Sequence, residues 1–84
     1  MAATRLGEKL RMLRQARGWT QADVARRYGQ VKRNQVSNYE TGGREPRIAF
    51  IAWACRTYEV TFDQLLDDAV DLPADATGGP SDAT

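Results

Sequence analysis

The sequence predicts an all-α fold built from five short helices. Three observations predict it. Apolar residues recur at the spacing of one helix face, as in Leu6, Leu10 and Leu13. Residues that cap helix starts, Thr20 and Thr61, stand just ahead of helical stretches. Gly18, Gly29 and the pair Gly42 and Gly43 follow such stretches, where a helix ends in a left-handed turn. No stretch carries a strand signal.

The first helix is expected from about Leu6 to Arg17, with Thr4 as its cap and Gly18 as its stop. Its three leucines form one apolar stripe. The second starts after Thr20, and Asp23, three residues on, can return the bond in a variant capping box. Trp19 and Val24 occupy the two positions of a hydrophobic staple. This helix ends at Gly29. The third covers about Arg33 to Thr41, with Val36 and Tyr39 on its buried side. After the loop GGREP, Pro46 suits the start of a fourth helix, about Arg47 to Tyr58. Its expected core face is Ile48, Ile51, Cys55 and Tyr58, which leaves Phe50 and Trp53, three apart, on another face. A short fifth helix, FDQLLDD, follows Thr61. From about Leu72 the chain turns to small residues, Pro and Gly, and reads as a disordered acidic tail over residues 72–84, behind a folded domain over residues 1–71.

At 84 residues the chain holds one domain with a modest core. With 42% apolar residues it is globular, and no run is long enough to cross a membrane. The N-terminal stretch MAATRLGEKLRML carries charges where an export signal needs an apolar segment, so the expected location is the cytoplasm, at the nucleoid. One cysteine, Cys55, cannot form an internal disulfide and is expected in the core. The formal charge of +1 hides an asymmetry. All twelve Lys and Arg lie in residues 1–56 beside four acids, a balance of +8, while residues 57–84 carry seven acids and no base, a balance of −7. A compact basic part suits a polyanionic partner, and the acidic end is expected to lie away from it.

Residues 20–42, TQADVARRYGQVKRNQVSNYETG, read as a helix, a tight turn and a second helix with a polar outer face. That is the pattern of a helix-turn-helix facing double-stranded DNA. Arg33, Asn34 and Asn38 are the expected base readers, because Arg matches the two acceptors of guanine and Asn pairs with the adenine edge. Gln35 and Ser37 flank them as weaker candidates. Gln21, Lys32, Arg44 and Arg47 are the expected phosphate contacts, and the free N–H groups at the start of the second helix favour an anion beside Gln21. The plain alternatives are a solvated helix face for the first set and simple solubility for the second.

The segments LGEKLRMLRQARGWTQADVA, VSNYETGGREP and VTFDQLL, in that order, resemble the lambda-repressor/Cro-type helix-turn-helix family of bacterial and phage regulators. The resemblance spans about Leu6 to Asp67. It implies a compact five-helix domain whose third helix enters the major groove, and a dimer on an inverted repeat with half-sites about one helical turn apart. It also implies a backbone contact at Gln21 and a structural ion pair between Arg14 and Glu40. The chain departs from the pattern in the turn. The family leaves five residues between its glycine and the next core aliphatic, whereas Gly29 and Val36 enclose six, so one residue, most simply Gln30, is inserted. Lys32 then stands where the family has a Ser or Thr cap.

Phe50 and Trp53 occupy a face the family keeps polar. Two readings follow: a dimer interface, or a surface covered by Val70 and Leu72 folding back. The expected function is a sequence-specific transcription regulator, a repressor acting by operator occupancy. A protein-interaction module, such as an antitoxin-like or adaptor subunit, is the alternative, and the Phe50 and Trp53 patch is its evidence. An enzyme is not expected, since the chain has no histidine, no Cys/His metal cluster, no Gly-rich phosphate loop and no nucleophile beside a base. No cofactor, metal or small-molecule ligand is expected.

Overall fold

The computed structural model of the protein describes residues 5–74. The five expected helices are present: α1 (Leu6–Ala16), α2 (Gln21–Tyr28), α3 (Arg33–Thr41), α4 (Ile48–Tyr58) and α5 (Phe62–Leu66). No strand occurs among the described residues.

Local chemistry accounts for their ends. The proposed cap Thr4 lies outside the described residues. Arg5 stands at the start of α1 with no side-chain cap. Instead Arg5 reaches the segment just after α5. Its backbone N–H donates to Asp68 Oδ1 at 3.0 Å, and its guanidinium donates to the Asp68 carbonyl at 2.9 Å. At the other end of α1, Gly18 adopts a φ of 72°. There the Gly18 N–H donates to the Gln15 carbonyl and the Trp19 N–H to the Arg14 carbonyl, which is a Schellman closure. The capping box of α2 is complete. The Asp23 N–H donates to Thr20 Oγ1 at 3.0 Å and the Thr20 N–H to Asp23 Oδ2 at 2.9 Å. The bond from the Thr20 backbone is the chief reason the Asp23 carboxyl titrates below its ordinary range. Thr61 and Gln64 repeat the same box at α5. At the end of α4, Glu59 takes the left-handed conformation at φ 60°, a position that favours glycine.

The core is drawn from every helix: Leu6, Leu10 and Leu13, Val24, Val36 and Tyr39, then Ile51, Ala54 and Tyr58, closed by Val60 and Leu65. Both α1 and α2 pack on α3, and α5 fills the angle between α1 and α4. Helix α4 buries Ile51, Cys55 and Tyr58 as expected, but Phe50 rather than Ile48 joins them. Ile48 is 69% exposed, whereas Phe50 is 2% exposed. The larger ring takes the interior site because aromatic partners are waiting there. Phe50 meets Tyr39 at 4.9 Å and Tyr28 edge-on at 5.1 Å between centroids, and Trp53 lies against Tyr28 at 5.4 Å. Phe50 is therefore not an interface residue. Tyr28 and Tyr39 supply its cover within one chain, and Trp53 is half-buried on the same cluster. Leu72 also packs on the core, so the ordered chain runs past the expected boundary before it. Most of the proposed tail, residues 75–84, lies outside the described residues.

Lys9 is completely buried. Its three ammonium protons go to three carbonyls at the end of α5 and just beyond: Gln64 at 2.7 Å, Asp67 at 2.9 Å and Val70 at 2.6 Å. The Gln64 and Asp67 carbonyls belong to the negative end of a short helix and that of Val70 to the turn after it, so the cation finds compensating dipoles without a carboxylate. With Arg5, it clasps the first helix to the last turn.

Candidate nucleic-acid interface

The α2–turn–α3 unit is held by its inner side. Helix α2 ends at Gly29, whose φ is 83° and whose N–H donates to the Ala25 carbonyl at 2.9 Å. Gln30 and Val31 form a bend, and Val31 packs partly on the core. Lys32 then takes the extended conformation of an N-cap, so α3 begins at Arg33 in spite of the extra residue. An ammonium has no acceptor and cannot cap N–H groups. The start of α3 is secured from inside the helix, where Gln35 Oε1 accepts the Lys32 N–H at 2.9 Å. Only half of a capping box is thus present.

Gln35, a weaker candidate for base reading, is half-buried and shares its amide oxygen with the helix start, so a two-bond contact with adenine would draw on that oxygen's second lone pair. Arg33, Asn34 and Asn38 are exposed, and Ser37 is half-buried beside them. Asn34, Asn38 and Thr41 follow one another at four and three residues and share a face. Thr41 escaped the sequence reading, although the same spacing names it. The Arg44 N–H donates to the Asn38 carbonyl at 3.2 Å, which folds the following loop back on the end of α3. Lys32, Arg33, Arg44 and Arg47 are all exposed, and none joins an ion pair among the described residues.

Behind that face lies the pair expected from the family. Arg14 Nε donates to Glu40 Oε2 at 2.7 Å and its Nη2 to Glu40 Oε1 at 3.1 Å. The two side chains are 12% and 4% exposed. Arg14 also donates to the Trp19 carbonyl at 2.7 Å. Gln21 Nε2 joins the same carboxylate at 3.1 Å, so one of its amide protons is engaged inside the protein and one is left for an outside acceptor. Arg14, Gln21 and Glu40 belong to α1, α2 and α3 respectively, and their network fixes the three helices against one another. Gly7 permits the close approach of α1 to the end of α3, because a β-carbon there would lie 2.5 Å from the Glu40 carbonyl oxygen. Buried Lys9 had its own signal in the sequence: it shares the Leu6, Leu10 and Leu13 stripe, a polar residue on an apolar face.

Cys55 is buried, and burial pushes its thiol above the ordinary range, as suits a core residue. No cluster of three or more metal-ligating side chains occurs among the described residues. No helix among them is long and apolar enough to cross a membrane.

A five-helix domain with a braced second helix, a glycine turn and an exposed polar third helix is the architecture of DNA-binding helix-turn-helix proteins. A helix-turn-helix domain model matches residues 5–69, and the chain belongs to that family. The match agrees with the lambda-repressor/Cro-type pattern of its sequence. Neither the curated proteins nor the solved structures gave a match.

Proposed function

We propose that this protein is a sequence-specific transcription regulator, a repressor that occupies an operator in double-stranded DNA as two copies on an inverted repeat. Helix α3 lies in the major groove. Arg33, Asn34 and Asn38 read base edges, with Ser37 beside them. Lys32, Arg44, Arg47 and the start of α2 at Gln21 hold the phosphates on either side. Double-stranded DNA as the partner supports a location in the cytoplasm at the nucleoid. One observation carries the reading. The outer face of α3 presents polar and basic side chains without ion pairs among the described residues, while the inner face is fixed to α1 and α2 by the core and the Arg14–Glu40–Gln21 network. The protein-interaction alternative rested on Phe50 and Trp53 as a surface patch, and Phe50 is interior.

A selection from a random double-stranded DNA library with the purified protein tests this reading. A defined element is expected. Asn38→Ala is expected to cost about 1–3 kcal/mol on that element and to relax preference at one position. Arg44→Ala is expected to weaken all sequences alike and to flatten the salt slope by about one unit. Recovery of no preferred element would overturn sequence specificity. An Asn38→Ala protein with unchanged affinity and preference would overturn the placement of the reading face.

A further inference from the structure

The outward side of α4 is a surface the DNA reading leaves unused. Ile48 is 69% exposed. Ala49 and Arg56 are exposed and Ala52 is half-buried. Positions 49, 52 and 56 repeat at three and four residues, so they run as one stripe with Ile48 at its edge. Exposed Glu45 stands ahead of the stripe and Arg56 closes it, and neither side chain is in an ion pair among the described residues.

We propose that this face docks a second copy of the chain, α4 against α4 in antiparallel orientation. The inference rests on the DNA-binding reading and names the surface through which its two copies meet. Charge selects both orientation and register. A parallel pair sets Glu45 beside Glu45 and Arg56 beside Arg56, which repel. An antiparallel pair centred on Ala52 sets Glu45 toward Glu59 of the second copy, which also repel. The antiparallel register that sets Ala49 against Ala52 of the second copy brings Glu45 toward Arg56 of the second copy, and the two-fold axis repeats that pairing at the other end. The long Arg56 side chain spans the extended step between Glu45 and the first helical residue. Two alanines at the centre let the backbones approach. Ile48 then covers Ala52 and the methylene stem of Arg56 of the second copy, leaving water for an apolar neighbour.

The surface is small. A helix of 11 residues is about 16 Å long, and one such contact buries far less than the roughly 1,200–2,000 Å² of a stable interface. The pairing is therefore weak in free solution and takes effect on DNA, where neighbouring half-sites hold two copies at high local concentration. Its readout is cooperativity.

The test uses the DNA element recovered by the selection, as a single copy and as inverted repeats over a range of spacings. Each is titrated with the full chain by fluorescence anisotropy, after circular dichroism has shown every variant to be folded. The wild type is expected to bind the repeat about tenfold more tightly per site than the single element at one spacing. Glu45→Arg and Arg56→Glu alone are expected to remove most of that factor, the two together to restore it, and Ile48→Glu to abolish it. Absence of cooperativity at every spacing overturns the proposal, as does cooperativity that survives Ile48→Glu or that the double reversal fails to restore. A wild type that binds no single element overturns the DNA-binding reading itself, which separates the two failures.

Discussion

Replacing Gly7 by alanine sets two effects against each other. On propensity alone the change is favourable, since alanine is better than glycine in a helix by up to about 1 kcal/mol. The contact is unfavourable. The new β-carbon falls 2.5 Å from the Glu40 carbonyl oxygen, 2.6 Å from that of Tyr39 and 2.8 Å from the Glu40 carbonyl carbon. All three are backbone atoms at the end of α3, so no side chain can swing aside. Ordinary contact begins near 3.4 Å, so α1 and α3 must part by roughly 0.9 Å. A clash this close with backbone belongs in the upper part of the overpacking range, about 2–3 kcal/mol. The net expectation is a loss of about 1–2 kcal/mol, which lowers Tm by roughly 5–15 °C in a domain of this size. Thermal denaturation followed by circular dichroism measures it. Gly43→Ala is the control, since its β-carbon meets nothing nearer than Asn38 Oδ1 at 3.6 Å, and its Tm is expected to stay close to that of the wild type. A Gly7→Ala protein as stable as the wild type would show that α1 does not lie this close to α3.

Three further outcomes follow from buried polar groups. Glu40→Gln leaves the Arg14 guanidinium buried without its charge partner and is expected to cost about 3 kcal/mol in urea denaturation, whereas Arg14→Met with Glu40→Leu recovers most of the loss. Lys9→Met removes the donor for three carbonyls, so hydrogen exchange is expected to speed up in residues 66–72 while α2 and α3 stay protected. Burial first, and the Glu40 charge second, push the Tyr58 hydroxyl up to about 12. Against an unfolded value near 10, the raised folded pKa means that its contribution is whole below pH 10 and is lost as pH rises through 12, with about 1.4 kcal/mol gone by pH 11. Denaturant titrations at pH 9 and pH 11 check this, and Tyr58→Phe is expected to remove that part of the difference.

Helix positions were legible because local signals agree with the tertiary structure. Thr20 and Thr61 cap as their spacing requires, and Gly18, Gly29 and Gly42 turn left-handed where helices stop. The Arg14–Glu40 pair was legible through the family pattern alone. Ile51, Cys55 and Tyr58 of α4 were legible too, but the placing of Ile48 and Phe50 was not, because a helix apolar on most sides has no unique inner face. Tyr28 and Tyr39, distant in sequence, decide that Phe50 turns inward and Ile48 outward. The capping bond of Gln35 was hidden for a related reason: a glutamine near a helix start suits a groove and a cap equally, and Lys32 at the N-cap leaves the Lys32 N–H for Gln35 to accept.

That internal cap bears on how the free and bound states differ. Lys32 and Arg33 place two positive charges at the positive end of the α3 dipole, with no acid in its first turn to oppose them. Like sign meets like sign there, so the leading turn of α3 is the electrostatically frustrated part of the domain when the protein is alone. A phosphate between the two cations reverses that sign locally. On the proposed reading, the turn that meets DNA first is also the turn most stiffened by the encounter, and in high salt, where mobile anions screen the same repulsion, the gain on binding shrinks along with the attraction itself.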